Sequence, residues 1–370
     1  MKILFIAPRF HPNQIDLVRK LKEENHEVFF LVLNFGPSED HRLLKPQAIP
    51  VLKSIGKFNI EPLNNSMNYF KVLPHPSEYF RILKNIKPDV VILRGGMRSF
   101  YSKLLLGYSF RKNLKIICYT QMPQYLGKKD LRKKLLNLFE TGVSQFKTYT
   151  PVKYNAKEGA FKKLNNLDYI PFFVYPNTKE IKEISENEKM HFLCIGKYEE
   201  RKNLKLFIQI AKALKSAKFD FKITIIGGAD SEKRLKYHDY LSSLINEFDL
   251  SQEIILLKNV LKKNMFKYFE AAHVFILPSR NEPASISQLE AMSYGLPIIC
   301  SIDNGTAHYV KNELNGFLVN PDQEEVLKAM NNYLLDPGLV AKHSFKSLEL
   351  VNSDFSINSS YQKFIQFLKK

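Results

Sequence analysis

No apolar run in this 370-residue sequence approaches the roughly 20 residues that a membrane-spanning helix needs. The apolar opening, residues 1–7, is too short for a secretory core and runs straight into a strand, turn and helix pattern, so a cytoplasmic location is expected. Cysteine is scarce. Cys118, Cys194 and Cys300 are odd in number, far apart, and each lies in or at the end of an apolar run. They read as buried free thiols, which excludes a disulfide framework and a metal centre built on cysteine spacing. Glycine is missing where a dinucleotide-binding oxidoreductase or epimerase needs it. The first strand leads into Ala7-Pro8-Arg9-Phe10-His11-Pro12-Asn13, with no Gly-x-Gly-x-x-Gly turn. Acid is also short, with 37 Asp and Glu against 55 Lys and Arg and a net charge of +18 at pH 7. Such a balance asks for an acidic partner: anionic lipid, nucleic acid or a phosphorylated substrate. Without zinc spacing, an RNP-like aromatic motif or a helix-turn-helix signature, nucleic acid is set aside.

What is present is a regular alternation of strands and helices. Apolar runs at 3–7, 28–33, 90–93 and 116–119 read as short buried strands, with helical patterns at 16–24 and 77–85 between them. A second set follows at 192–195, 223–226, 254–257, 274–277 and 298–300. The length exceeds one ordinary core, so the expectation is an α/β chain of two Rossmann-like, doubly wound parallel-sheet domains facing a cleft. The boundaries expected are 1–175 for the first domain, joined by a C-terminal helix at 355–370, and 176–354 for the second. Residues 180–189, charged and poor in apolar side chains, read as a surface linker or a short insertion.

The segment 278–299 carries the most chemistry. The run His273-Val274-Phe275-Ile276-Leu277 is a buried parallel strand stopped by Pro278 and Asn281. A helix is expected to open at 283–285, since Pro283 suits a first turn, and Gly295 suits the left-handed residue past its end. This puts Glu282 in the loop and Glu290 inside the helix. A helix start offers N–H donors to phosphate, and each carboxylate accepts paired hydrogen bonds from vicinal hydroxyls.

The strand, Pro278-Ser279, the two glutamates, Leu289-Glu290-Ala291-Met292 and Gly295-Leu296-Pro297-Ile298-Ile299 resemble the donor-site signature of retaining GT-B glycosyltransferases of family four, the glycosyl transferases group 1. The resemblance continues through 304–310 and 315–319. Upstream, Gly196-Lys197-Tyr198-Glu199-Glu200-Arg201-Lys202-Asn203 is similar to the glycine and basic loop that open the donor domain. It covers the second half of the chain well and the first half in outline.

That resemblance implies metal-independent transfer, with retention, of a hexosyl or N-acetylhexosaminyl group from a nucleotide-sugar, UDP-sugars being favoured. The acceptor implied is an envelope glycan, a lipid-linked glycan or a polysaccharide. No cofactor and no metal is expected; the sequence lacks the Asp-x-Asp of metal-dependent relatives, and fixed cations take the departing diphosphate instead. Lys202 is assigned to that diphosphate. Lys197 stands where relatives carry Arg, keeping the charge and losing the planar fork. Gly196 and Arg201 complete the basic loop. Glu290 is assigned to the ribose hydroxyls, Glu282 to the transferred sugar, and the N–H groups of Ala284, Ser285 and Ile286 to sugar and phosphate. Pro283, which has no N–H, and His308, at a place where an acid is expected, depart from the pattern.

In the first half the candidates for acceptor contact are His11, Arg94 with the following Gly95-Gly96-Met97-Arg98, and Gln121, which stands where relatives carry a histidine. A basic amphipathic stretch at 128–139 reads as a helix for an anionic membrane surface, giving a peripheral position at the inner face of the cytoplasmic membrane. Two rivals stand beside this reading: a noncatalytic GT-B partner subunit that binds nucleotide or glycan, and the dinucleotide oxidoreductase or epimerase disfavoured above.

Overall fold

The computed structural model describes residues 1–35, 39–52, 54–55, 58–59, 72–94, 99–126, 146–154 and 162–369. Two compact units divide the chain: Met1–Val152 with Phe161–Phe173 and Ser360–Lys370, and Lys153–Ala160 with Val174–Ser359.

In the first unit the strands are β1 (Lys2–Ala7), β2 (Glu27–Val32), β3 (Gln47–Ala48), β4 (Ser54–Ile55), β5 (Phe58–Asn59), β6 (Val90–Arg94), β7 (Lys115–Tyr119), β8 (Tyr125–Leu126), β9 (Thr148–Thr150), β10 (Lys162–Lys163) and β11 (Leu167–Tyr169). Seven of them form a parallel sheet in the order β11-β9-β7-β6-β1-β2-β3. Ile3 to Ile6 and Val90 to Leu93 are buried throughout, as strands covered on both faces must be. The helices Ile15–Glu23, Pro76–Ile86 and Phe100–Lys112 bury one side each, through Val18 and Leu21, Tyr79 and Leu83, and Tyr101 and Leu105. The chain builds outward from β1 to β3 and then returns to place β6 on the other side of β1. That reversal leaves a crevice at the carboxyl ends of β1 and β6.

The second unit has β12 (Met190–Lys197), β13 (Phe221–Gly228), β14 (Ile254–Lys258), β15 (Val274–Leu277), β16 (Ile298–Ser301) and β17 (Gly316–Val319), all parallel, in the order β14-β13-β12-β15-β16-β17. Its reversal lies between β12 and β15, which puts the loops after Lys197 and after Leu277 side by side. Helices Lys205–Ser216, Glu232–Glu247 and Gln323–Leu335 cover the sheet through Phe207, Ile210, Leu241, Val326 and Met330. The segment 180–189 carries no helix or strand. The last helix is Ile357–Lys369.

The three cysteines are buried free thiols, each pushed up to about 12 by burial. No helix among the described residues is long and apolar enough to cross a membrane. The basic stretch 128–139 lies outside the described residues, as do Gly95, Gly96, Met97 and Arg98.

Candidate active site

The second unit gathers charge at its sheet reversal. After β12 a single 3-10 turn, Glu200–Lys202, ends at Asn203 in the left-handed conformation. The Asn203 amide donates to the carbonyls of Pro278 at 3.2 Å and Pro321 at 3.1 Å, tying the turn to the end of β15. Arg280 N donates to the Arg201 carbonyl at 2.8 Å and closes the same seam. Gly196 serves by what it lacks. A Cβ there would lie 3.0 Å from Lys202 Cε, so the glycine lets the lysine stem pass over the strand end.

Lys202 and Glu282 are each 7% exposed, and they meet. Glu282 Oε2 lies 2.5 Å from Lys202 Nζ and 2.5 Å from Arg201 Nη1. The Glu282 backbone is held on both sides, donating to Asp303 O at 3.0 Å and accepting from Gly305 N at 2.8 Å. Behind Arg201 stands a second layer that sequence reasoning missed. Arg201 Nη2 reaches Glu199 Oε2 at 3.4 Å, Glu199 accepts from Arg234 Nε at 3.0 Å, and Arg234 also pairs with Asp230. Burial raises the Glu199 carboxyl, but the Arg234 hydrogen bond and the charges of Arg234, Lys197 and Arg201 outweigh it, and the net shift is downward. Asp230 is lowered on the same balance of burial against Arg234. Lys197 is exposed at the end of β12 and lends its charge to Glu199 and Asp230.

Glu290 sits in the first turn of the helix Ser287–Ser293, half-buried, and pairs with Lys262 from the turn after β14. Lys262 was also missed; a lysine 28 positions away carries no local signal that it belongs to the site. Gly295 follows the helix with φ of +76°, as the pattern required.

One expectation is corrected. The helix does not open at 283–285 but at Ser287, with Ile286 before it, so Pro283 is not in its first turn. Thr306 is the reason. Its hydroxyl accepts from Ser285 N at 3.0 Å and lies 3.1 Å from the Ser285 carbonyl, and its own carbonyl accepts from Gln288 Nε2. These bonds hold 283–286 against the loop after β16 in a non-helical path. Ala284 and Ile286 flank a Ser285 whose N–H is therefore already committed. His308 is buried, 5.6 Å from the Tyr154 ring and 4.6 Å from that of Tyr309, and burial pushes its pKa down to about 3. It is neutral at ordinary pH and replaces the expected acid with an uncharged ring.

In the first unit, Arg94 at the end of β6 lies 3.7 Å over the Tyr119 ring, and its Nη1 donates to Asn13 Oδ1 at 3.4 Å. Through these two contacts Arg94 meets the loop that carries His11 and the strand end that leads to Gln121. His11 is exposed, its N–H donating to Gln14 Oε1 at 3.0 Å; Gln121 is half-buried.

Residues 176–346 match the family Glycosyl transferases group 1. The chain is 24% identical to an uncharacterized glycosyltransferase of Haemophilus influenzae over 82% of each chain. It is also 24% identical to the amylovoran biosynthesis glycosyltransferase AmsD of Erwinia amylovora, covering 85% of this chain and 83% of that one. Among solved structures, Anabaena HepE in complex with UDP superposes over 100% of both chains with a TM-score of 0.72 at 13% identity. With two parallel sheets, each reversing at a loop crevice, this chain has the GT-B fold, and its residues 176–346, which hold the paired glutamates and the basic loop, match the glycosyl transferases group 1.

Proposed function

We propose that the protein transfers a hexosyl or N-acetylhexosaminyl group from a nucleotide-sugar, UDP-sugars being favoured, to an envelope glycan, a lipid-linked glycan or a polysaccharide, with retention and without a metal. The observation that carries this reading is the convergence of two cations, the buried Lys202 and the half-buried Arg201, on one carboxylate oxygen at the sheet reversal. Fixed cations in a site shielded from water stabilise a departing diphosphate without reorganisation, which is the service a metal performs elsewhere. Glu290, on the short helix, takes the ribose hydroxyls, and Glu282 takes the sugar. Gly196 keeps the lysine stem close to the strand, and Lys197 adds positive potential at the rim. Ala284, Ser285 and Ile286 shape the wall between the two glutamates. The departing phosphate takes the acceptor proton, so no separate general base is assigned. HepE has been crystallised with UDP and with UDP-glucose, which favours the uridine series as the first to test. His11, Arg94 and Gln121 are proposed for acceptor contact, Arg94 holding the only charge that reaches both neighbouring loops through contacts at 3.4 and 3.7 Å among these three.

A peripheral place on the inner face of the cytoplasmic membrane belongs to the same proposal. Its supports are the net charge of +18 and the outer face of the helix Phe100–Lys112. Phe100 is 42% exposed and Phe110 87% exposed. At about 100° per residue they share an arc of roughly 100° with Lys103 and Arg111, and the helix contains no acid. Aromatic and basic side chains on one face suit an anionic lipid surface.

Calorimetric titration in EDTA with UDP, GDP, dTDP, ADP and NAD tests the donor reading. Saturable binding of one nucleoside diphosphate is expected. Binding of NAD alone, or of nothing, would sink it, and binding without sugar turnover would favour a noncatalytic subunit.

A further inference from the structure

We propose that Glu282 is an internal counter-ion which occupies the diphosphate seat in the donor-free protein, so that the incoming phosphates displace it and thereby free the carboxylate to receive the sugar. This rests on the reading of Lys202 and Arg201 as the diphosphate cations. Both meet the same oxygen, Oε2, at 2.5 Å, and Lys202 is 7% exposed. A buried cation without a counter-charge is strongly disfavoured, so an empty seat needs an anion from somewhere. The protein supplies one eighty residues away in sequence.

The surroundings allow exchange. The Glu282 main chain is clamped by Asp303 and Gly305, so the carboxylate leaves by side-chain rotation alone and remains beside the seat. Arg201 keeps a second partner, Glu199, which Arg234 holds in place. The guanidinium therefore stays oriented when Glu282 departs. A diphosphate carries more charge than one carboxylate and presents more acceptor oxygens, which drives the exchange forward. Recognition of phosphate and of sugar is thus coupled through one side chain: an unphosphorylated sugar finds Glu282 engaged, whereas a donor finds it released.

The test is calorimetry of the full-length protein with UDP and with uridine, comparing wild type with Glu282→Gln. The variant removes the competing charge. It is expected to bind UDP about tenfold tighter or more, to bind uridine as wild type does, and to lose sugar transfer. Its melting temperature without ligand should be lower than that of wild type, and UDP should raise it further. Equal or weaker UDP binding by the variant overturns the exchange while leaving the donor site in place. Failure of wild type to bind any nucleoside diphosphate overturns the donor site and the exchange together. Should Glu282→Gln not melt cooperatively, Glu282→Asp, whose shorter arm cannot reach both cations, gives the same comparison: tighter UDP binding supports the exchange and unchanged binding overturns it.

Discussion

The two sheets reverse in the same way but end in different chemistry. In the second unit the crevice at the reversal is lined by a connected set of charges, from Lys202 and Arg201 through Glu282 and Glu199 to Arg234 and Asp230. Among the described residues at the equivalent strand ends, the first unit has Arg94 stacked on a tyrosine and bonded to an asparagine, and Arg9 paired with Glu39. Topology therefore provides a crevice in each unit, and side chains decide what it can hold. The proposed diphosphate seat lies in the crevice with the larger connected set of charges, and the proposed acceptor contacts lie in the other.

The sharpest way to break this contrast is Lys202→Ala. It removes a buried cation and leaves Glu282 with Arg201 alone, and kcat/KM for the donor is expected to fall by about 10²-fold or more. Lys202→Arg should recover part of the loss, and steady-state kinetics with the favoured donor would show whether either holds.

Acid should loosen the second unit before the first. Burial lowers the pKa of His191 to about 4 and that of His308 to about 3, and also lowers His273 and His343. In the first unit His26 is lowered by burial as well. A histidine held neutral in the fold contributes its full stability above the unfolded value near 6.5. That contribution is lost as pH falls from 6.5 toward the folded value, at about 1.4 kcal/mol per pH unit for each proton by which the two states differ. Calorimetric melting between pH 7.5 and 4.5 should show the transition that UDP protects moving down the further. A transition that stays in place across that range would contradict the assignment.

Glu290→Ala is expected to weaken nucleoside diphosphate binding about tenfold, the scale of a hydrogen bond to a charged group. The effect should be absent for inorganic pyrophosphate, which has no ribose; equal losses for both ligands would move Glu290 out of the ribose role. The smallest change is expected at the other crevice. Arg94→Ala should raise the acceptor KM several-fold, as the loss of one hydrogen bond from a charged donor would, and leave the donor KM alone. A change in donor KM instead would erase the distinction between the two crevices.

Much of the fold was legible in the residues themselves. The run Val274–Leu277 is a strand over the expected residues, and β1, β2, β6, β7 and β12 differ from expectation only at their ends. Glu282 falls in the loop, Glu290 in the helix and Gly295 past its end. The strand Gly316–Val319 went unread because Asn315-Gly316 at its start is a turn signal. The start of the helix was misplaced because Pro283 is a sound local signal that Thr306, on another loop, overrides.

By itself, then, the sequence determined what depends on neighbours along the chain: apolar runs that become buried strands, a proline and an asparagine that stop one, a glycine that ends a helix, a count of charge that calls for an anionic partner. Only the tertiary structure decided which charges meet. Lys202 and Glu282 stand 80 positions apart, Lys262 and Glu290 28, and Arg234 and Glu199 35. Nothing in the local pattern states that β15 lies beside β12, and it is that neighbourhood in the sheet which brings the basic turn and the acidic loop within 2.5 Å. The physical reason is range: backbone propensity and periodicity act over a few residues, whereas the pairing of buried charges is settled by strand order.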